Sequence, residues 1–233
     1  MSSTADASQV PLTSAEVAVL SSSTANDTTA ATASPTIQDA SGGQPAAAAS
    51  GSAELASTKI KLLGALKRFP DFPIPGINFI DILPLFQDVS IHLALLRALE
   101  LQVLESAVKP DVIVGLDARG FLFGPSLALR LNASFVPVRK KGKMPGPCVT
   151  AAYEKEYGTD FFQMQEDAIK PGQKVLVVDD IIATGGSAAA AGSLVKQLGG
   201  ELVGYLFILE IPFLKGRDKL EGVPTTTLLE TDD

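Results

Sequence analysis

The sequence predicts an α/β fold with a mostly parallel central sheet flanked by helices, and three observations carry that prediction. Four apolar runs, Asp111–Leu116, Ser134–Val138, Val175–Val178 and Glu201–Leu209, have strand length and lack the polar alternation of a sheet with one wet face. Helical stretches separate them, and strands alternating with helices call for parallel pairing through right-handed crossovers. Two of the runs end in a turn that carries acidic residues just before a helix starts: Asp117-Ala118-Arg119-Gly120, and Asp179-Asp180 leading to Ala183-Thr184-Gly185-Gly186-Ser187. Open α/β sheets bind ligands at that edge, outside the carboxyl ends of their strands.

In chain order, residues 1–52 are rich in Ala, Ser and Thr and contain no aromatic residue. Their large apolar side chains are too few to offset the entropy of ordering the backbone. A disordered tail is therefore expected over 1–52 and one globular domain over 53–233. Ala53–Arg68 places Leu55, Ile60, Leu62, Leu63 and Leu66 at helical spacing and predicts the first ordered helix. Phe69–Phe86 carries four prolines, which break regular structure, among aromatic residues that must pack against something. It reads as a cover over the core or as one wall of a flat apolar pocket. Ile91–Leu104 is an amphipathic helix ending near Lys109-Pro110, and the lone histidine, His92, suits its surface.

After Asp111–Leu116 a helix is expected over Phe121–Leu131, then the strand Ser134–Val138 and the basic run Arg139–Lys143. That run fits a solvated face, a nuclear import signal or the neutralisation of a polyphosphate. Tyr153–Gly158 suits a two-stranded flap, read either as a salt-bridged hairpin or as a closing element whose carboxylate transfers a proton. A small-residue helix runs toward Leu198 and is stopped by Gly199-Gly200. The strand Glu201–Leu209, a turn and short helix over Glu210–Leu220, and an edge strand over Thr225–Leu229 complete the sheet.

Glycines let a backbone pass close to a phosphate, and the free N–H groups of a helix N-terminus favour an anion. A phosphate among Thr184–Ser187, with a polyol or a metal beside Asp179 and Asp180, is the chemical reading. Arg119, on the neighbouring strand-to-helix turn, suits bidentate phosphate recognition. No Gly-Lys-Ser/Thr sequence is present, which excludes a Walker loop.

The tail holds Asp6, Glu16, Asp27 and Asp39 and no base, which leaves the remaining chain at about −3 of the net −7. So balanced a domain lacks the electrostatic footprint of a general nucleic-acid binder. No secretory or Arg-rich transit pattern opens the chain, and no apolar run is long enough to span a bilayer. Cys148 is the single cysteine, which excludes an internal disulfide and fits a reducing, cytoplasmic setting, with the nucleus open to the basic run.

Five segments, FPDFPIPGINF, GLDARGFLFGPSLAL, VPVRKKGKMPGP, YEKEYG and VVDDIIATGGSAAAAG, together resemble the adenine phosphoribosyltransferases of the type I phosphoribosyltransferase family, in a fungal-like form. The resemblance covers Leu62–Leu229 and omits the tail. It implies the type I fold, with a small N-terminal hood and a flexible flap, and the reaction of adenine with 5-phosphoribosyl 1-pyrophosphate to give AMP and pyrophosphate. It also implies site residues. Ala183, Thr184, Gly185, Gly186 and Ser187 match the 5′-phosphate loop, and Asp179 and Asp180 match the acids that hold the ribose of a magnesium-bound substrate. Asp117, Ala118 and Arg119 match the pyrophosphate turn, whose Asp-Ala bond is often cis, while Arg139, Lys140 and Lys143 match basic positions near the pyrophosphate. Ile77, Phe79 and Ile181 match the adenine site, with Tyr157 beside it, and Glu156 matches the proton-transfer residue. A homodimer is implied, and the apolar Phe121–Leu131 suits its interface. The alternatives are a 6-oxopurine transferase, against which the absence of lysine from FPDFPIPGINF counts, and a non-catalytic sensor of phosphoribosyl pyrophosphate, which would carry a basic DNA-binding extension.

Overall fold

The computed structural model describes residues 44–230, apart from 73–74, 107 and 156–157. Helix α1 (Gln44–Leu63) begins upstream of the Ala53 start read from apolar spacing. Pro45 is preorganised for a first turn and Ala46–Ala49 have the highest helix propensity, so this part needs no large apolar side chain to be helical. The helix also stops short of Arg68. Residues Lys67–Pro70 form strand β1 instead, antiparallel to β2 (Asn78–Asp81), with Phe69 opposite Phe79. The proline-rich segment thus contains a regular element after all. Pro70 lies at the end of a two-stranded ladder, where a missing N–H is tolerated.

A short helix, α2 (Pro84–Gln87), leads into α3 (Val89–Glu105). Asp88 caps α3 by accepting a hydrogen bond from the Ile91 N–H at 3.0 Å. His92 is half-buried rather than on the open helix surface, with its ring edge-on to Phe86 at 5.2 Å. Strand β3 (Val112–Leu116) follows, then a 3₁₀ turn (Arg119–Leu122) and α4 (Gly124–Leu131). The expected single helix over 121–131 is split there, with Pro125 opening the second piece. Next come β4 (Ser134–Lys140), β5 (Cys148–Lys155), β6 (Gly158–Gln165), β7 (Lys174–Ile182), α5 (Gly186–Gln197), β8 (Glu201–Glu210) and β9 (Thr225–Thr227).

These seven strands form one sheet in the order β5-β6-β4-β3-β7-β8-β9. From β4 to β9 the pairs are parallel, and the β5–β6 hairpin joins antiparallel through Arg139–Gln163 and Lys140–Phe162. Pro137 is tolerated inside β4 because β6 joins that strand only beyond it. Period-two alternation divides the core between the two sheet faces. Ile113, Val178, Leu206 and Ile208 pack with buried residues of α1, α3 and α4. Val112, Val114, Val177, Tyr205 and Phe207 pack with those of α5. Among the described residues no helix is long and apolar enough to cross a membrane.

Candidate active site

β3 and β7 are adjacent and parallel, so their carboxyl ends deliver the two acidic turns side by side. A Cβ added at Gly120 would lie 2.9 Å from the Val178 carbonyl oxygen and 3.4 Å from Asp179 Oδ1, so only glycine lets the first turn press on the second. The Asp117–Ala118 peptide bond is cis, as the resemblance implied. Beyond β7 the chain turns through Gly185, at φ 75°, directly into α5. No side chain caps the first turn of α5, so its N–H groups remain available to a bound anion.

A cavity of about 710 Å³ opens over these turns. Asp117, Ala118 and Arg119 line one side, Lys140 another, and the continuous stretch Asp179–Ala188 the floor. All five predicted phosphate-loop residues and both predicted ribose acids therefore face one space. Asp180 is 3 % exposed and Asp179 is half-buried. Burial, and then the negative charge of Asp180, hold the Asp179 carboxyl well above the ordinary range. Burial also raises Asp180, opposed by the Arg119 guanidinium. Arg119 Nε sits 2.5 Å from Asp180 Oδ2, but the pair is an ion contact without hydrogen-bond alignment, and Oδ2 accepts no hydrogen bond from the described residues. Two acids that favour one shared proton, with a half-exposed arginine across the gap, are set up to receive the hydroxyls of a ligand.

A second, more apolar cavity of about 350 Å³ lies against the first. Phe69, Phe72 and Phe79 of the β1–β2 segment line it, together with Ile80–Leu83. The Phe72 and Phe79 rings meet edge-on, 5.2 Å apart. Arg119, Asp180 and Ile181 border both cavities. The proline-rich segment is thus a pocket wall, the second of its two sequence readings.

The other predicted residues are placed differently. Arg139 lies outside the cavity lining, with Nε 3.2 Å from Asp117 Oδ2 and a hydrogen bond donated to the Lys143 carbonyl oxygen. Lys143 and Ile77 also lie outside both linings, and Ile77 is exposed. Glu156 and Tyr157 lie outside the described residues. Sequence reasoning missed Tyr153 and Phe162, which stack across the β5–β6 hairpin at 4.4 Å and line the larger cavity. Alternation along β5 from Ala151 to Tyr153 was the available signal.

Residues 87–219 match the model of the phosphoribosyl transferase domain. The adenine phosphoribosyltransferase of Yarrowia lipolytica is 58 % identical over 177 residues, which span 75 % of this chain and 97 % of the relative. That of Debaryomyces hansenii is 56 % identical over 76 % of this chain and 93 % of the relative. The chain belongs to the phosphoribosyltransferase family. Among solved phosphoribosyltransferases, the Saccharomyces cerevisiae adenine enzyme, complexed with an imino-altritol bisphosphate and adenine, is 55 % identical, with a TM-score of 0.72. The match spans 75 % of this chain and 99 % of that one. The Trypanosoma brucei enzyme, in complex with AMP, pyrophosphate and ribose-5-phosphate, superposes with a TM-score of 0.68 at 27 % identity, over 74 % of this chain and 79 % of that one. Within this phosphoribosyltransferase the matched span holds both acidic turns, Lys140 and the β5–β6 hairpin, while the aromatic wall at β1 and β2 precedes it.

Proposed function

We propose that this chain transfers the phosphoribosyl group of 5-phosphoribosyl 1-pyrophosphate to adenine, giving AMP and pyrophosphate in purine salvage. The observation that carries this is the shared wall of Arg119, Asp180 and Ile181 between a polar, phosphate-suited cavity and an aromatic-lined one. A sugar carbon bound at that wall faces a flat base on one side and its own pyrophosphate on the other. Among the described residues lining the aromatic cavity there is no lysine, which favours a 6-aminopurine over a 6-oxopurine.

The 5′-phosphate would rest on the N–H groups and hydroxyls of residues 183–187, with the ribose hydroxyls on Asp179 and Asp180. Magnesium enters with the substrate. The adjacent carboxylates suit it, since magnesium keeps its waters and takes substrate oxygens and so needs few protein ligands. As the C1–oxygen bond breaks, the electron pair leaves with pyrophosphate, whose charge Arg119 and Lys140 offset. The N9 lone pair of adenine closes on C1, and the imidazole proton passes to Glu156. Phe79 and Ile181 stack on the base. Arg139 and Lys143 would join the pyrophosphate once Arg139 exchanges Asp117 for the ligand. A homodimer is inferred as well, since Leu122 and Leu129 of the Phe121–Leu131 stretch stand 42 % and 83 % exposed. The unpaired Cys148 suits a reducing, cytoplasmic setting.

The deciding experiment is AMP formation from labelled adenine with magnesium and phosphoribosyl pyrophosphate, with hypoxanthine and guanine in parallel. Turnover of adenine alone is expected. Turnover of the 6-oxopurines would overturn the base assignment, and binding of phosphoribosyl pyrophosphate without any turnover would make the chain a sensor. In the same assay Phe79→Ala is expected to raise KM for adenine about ten- to a hundredfold, the scale of one lost base–aromatic stack. KM for phosphoribosyl pyrophosphate should stay within about threefold, because Phe79 borders only the aromatic cavity. Equal changes in both constants would remove Phe79 from the adenine site.

A further inference from the structure

The floor of the larger cavity rests on a segment far away in sequence. Gly216, in the connection from β8 to β9, is buried back to back with the loop that leaves β7. A Cβ at Gly185 would strike the Gly216 carbonyl group, and one at Gly216 would strike the Ala183 carbonyl oxygen while lying 3.0 Å from the Gly185 nitrogen. Two backbones in such contact leave the residue 183–185 loop no room to sink.

The next residue anchors that support. Arg217 grips the Glu210 carboxylate through Nε at 2.9 Å and a terminal nitrogen at 2.6 Å. It also donates to the Thr225 carbonyl oxygen at 2.7 Å and to the Thr227 hydroxyl at 3.2 Å. Glu210 ends β8 directly opposite Ile182, the last residue of β7, and the Ile211 N–H donates to the Ile182 carbonyl oxygen at 2.9 Å. One guanidinium therefore ties together the ends of β8 and β9 beside the point where β7 releases its loop. A planar fork with a bidentate acid and two further acceptors fixes direction as well as distance. Neither Gly216, Arg217 nor Glu210 lines either cavity.

We propose that Gly216 and the Arg217–Glu210 pair act as a positioning brace, holding the backbone of residues 183–187 in the register that binds the 5′-phosphate of phosphoribosyl pyrophosphate. This rests on the function proposed above. The pyrophosphate end of the substrate lies over the other turn, at residues 117–119, which the brace does not touch. Loosening the brace should therefore weaken one end of the substrate and spare the other.

The experiment is titration of the full chain and of the variants Gly216→Ala, Arg217→Met and Arg217→Lys with two separate probes, ribose 5-phosphate and pyrophosphate, with melting temperature recorded for each. For Gly216→Ala and Arg217→Met, ribose 5-phosphate affinity is expected to fall about ten- to a hundredfold, the scale of an ångström-sized misplacement. Pyrophosphate affinity should hold within about twofold. Lysine at 217 keeps the charge but loses the fork, so it should recover only part of the loss. Unchanged ribose 5-phosphate affinity, or equal weakening toward both probes, would overturn the brace. Should Gly216→Ala fail to fold, the two Arg217 variants decide, since that side chain is 43 % exposed and its removal opens no core cavity. If the unaltered chain binds ribose 5-phosphate and makes AMP while the variants bind normally, only the brace is lost. If the unaltered chain does neither, the proposed function is lost with it.

Discussion

Asp179→Asn is expected to make the protein more stable near neutral pH and much poorer at binding phosphoribosyl pyrophosphate. Burial and the charge of Asp180 raise the Asp179 carboxyl, so the folded state holds its proton more tightly than the unfolded state does. Below the ordinary Asp value of 3.8 both states are protonated and nothing is lost. As pH climbs from there toward the raised folded value, the folded state gives up stability that an amide would keep. The melting-temperature gain of the variant should thus be small at acid pH and grow toward neutrality. Each 1 kcal/mol relieved is worth roughly 2–4 °C in a domain of this size. In the ionised form that a ribose hydroxyl would select, Asp179 is a charged acceptor that the amide cannot replace, worth about 1.5–3 kcal/mol, or about a ten- to a hundredfold loss of affinity.

Asp180→Asn separates burial from charge pairing. Its carboxyl is raised by burial but opposed by Arg119, 2.5 Å away, so the amide would relieve one cost and leave a guanidinium without its anion. The stability gain should be smaller than for Asp179→Asn, or absent, with a comparable loss of substrate affinity. Thermal melts at several pH values, read beside KM for phosphoribosyl pyrophosphate, check both variants. A loss of stability at every pH for Asp179→Asn would mean that the acids do not compete for a proton. An unchanged KM would move the ribose elsewhere.

What the sequence makes legible follows from how far apart the interacting residues are. Val112–Leu116 and Lys174–Ile182 announce themselves because a strand buried on both faces must be continuously apolar, and the acids then mark where it ends. The phosphate loop is equally local, since Thr184–Ser187 carry both their glycines and their helix start in one short run. The β1–β2 ladder was obscured because proline counts against a strand, yet Pro70 sits where its missing N–H goes unneeded. The start of α1 was obscured for the opposite reason, as an alanine run looks like the rest of the tail while favouring a helix. Contacts between distant segments leave no local mark. Nothing in Ala183–Gly185 points to Gly216, and nothing in Arg119 alone reveals that it separates two cavities.

Glu156→Leu carries the largest effect expected on turnover. The β5–β6 arms pair from Cys148–Gln165 to Lys155–Gly158, and Glu156 follows Lys155 in the sequence. Forming the C1–N9 bond leaves the purine with a proton on its imidazole ring that must go to an acceptor of suitable basicity. A positioned carboxylate contributes about 10²–10⁴ in rate to such a transfer, so kcat should fall by about that factor. KM for phosphoribosyl pyrophosphate should change little, because the role proposed for the group is on the base. The reverse reaction supplies an independent check. A substitution cannot alter the equilibrium between adenine with phosphoribosyl pyrophosphate and AMP with pyrophosphate. The same proton must return to the purine when AMP is cleaved, so pyrophosphorolysis should slow by the same factor when the Michaelis constants are unchanged. Unaltered turnover in both directions would remove Glu156 from the mechanism. A drop in both directions accompanied by a raised KM for pyrophosphate would instead make Glu156 part of flap closure, since a proton acceptor on the base has no contact with the leaving group to lose.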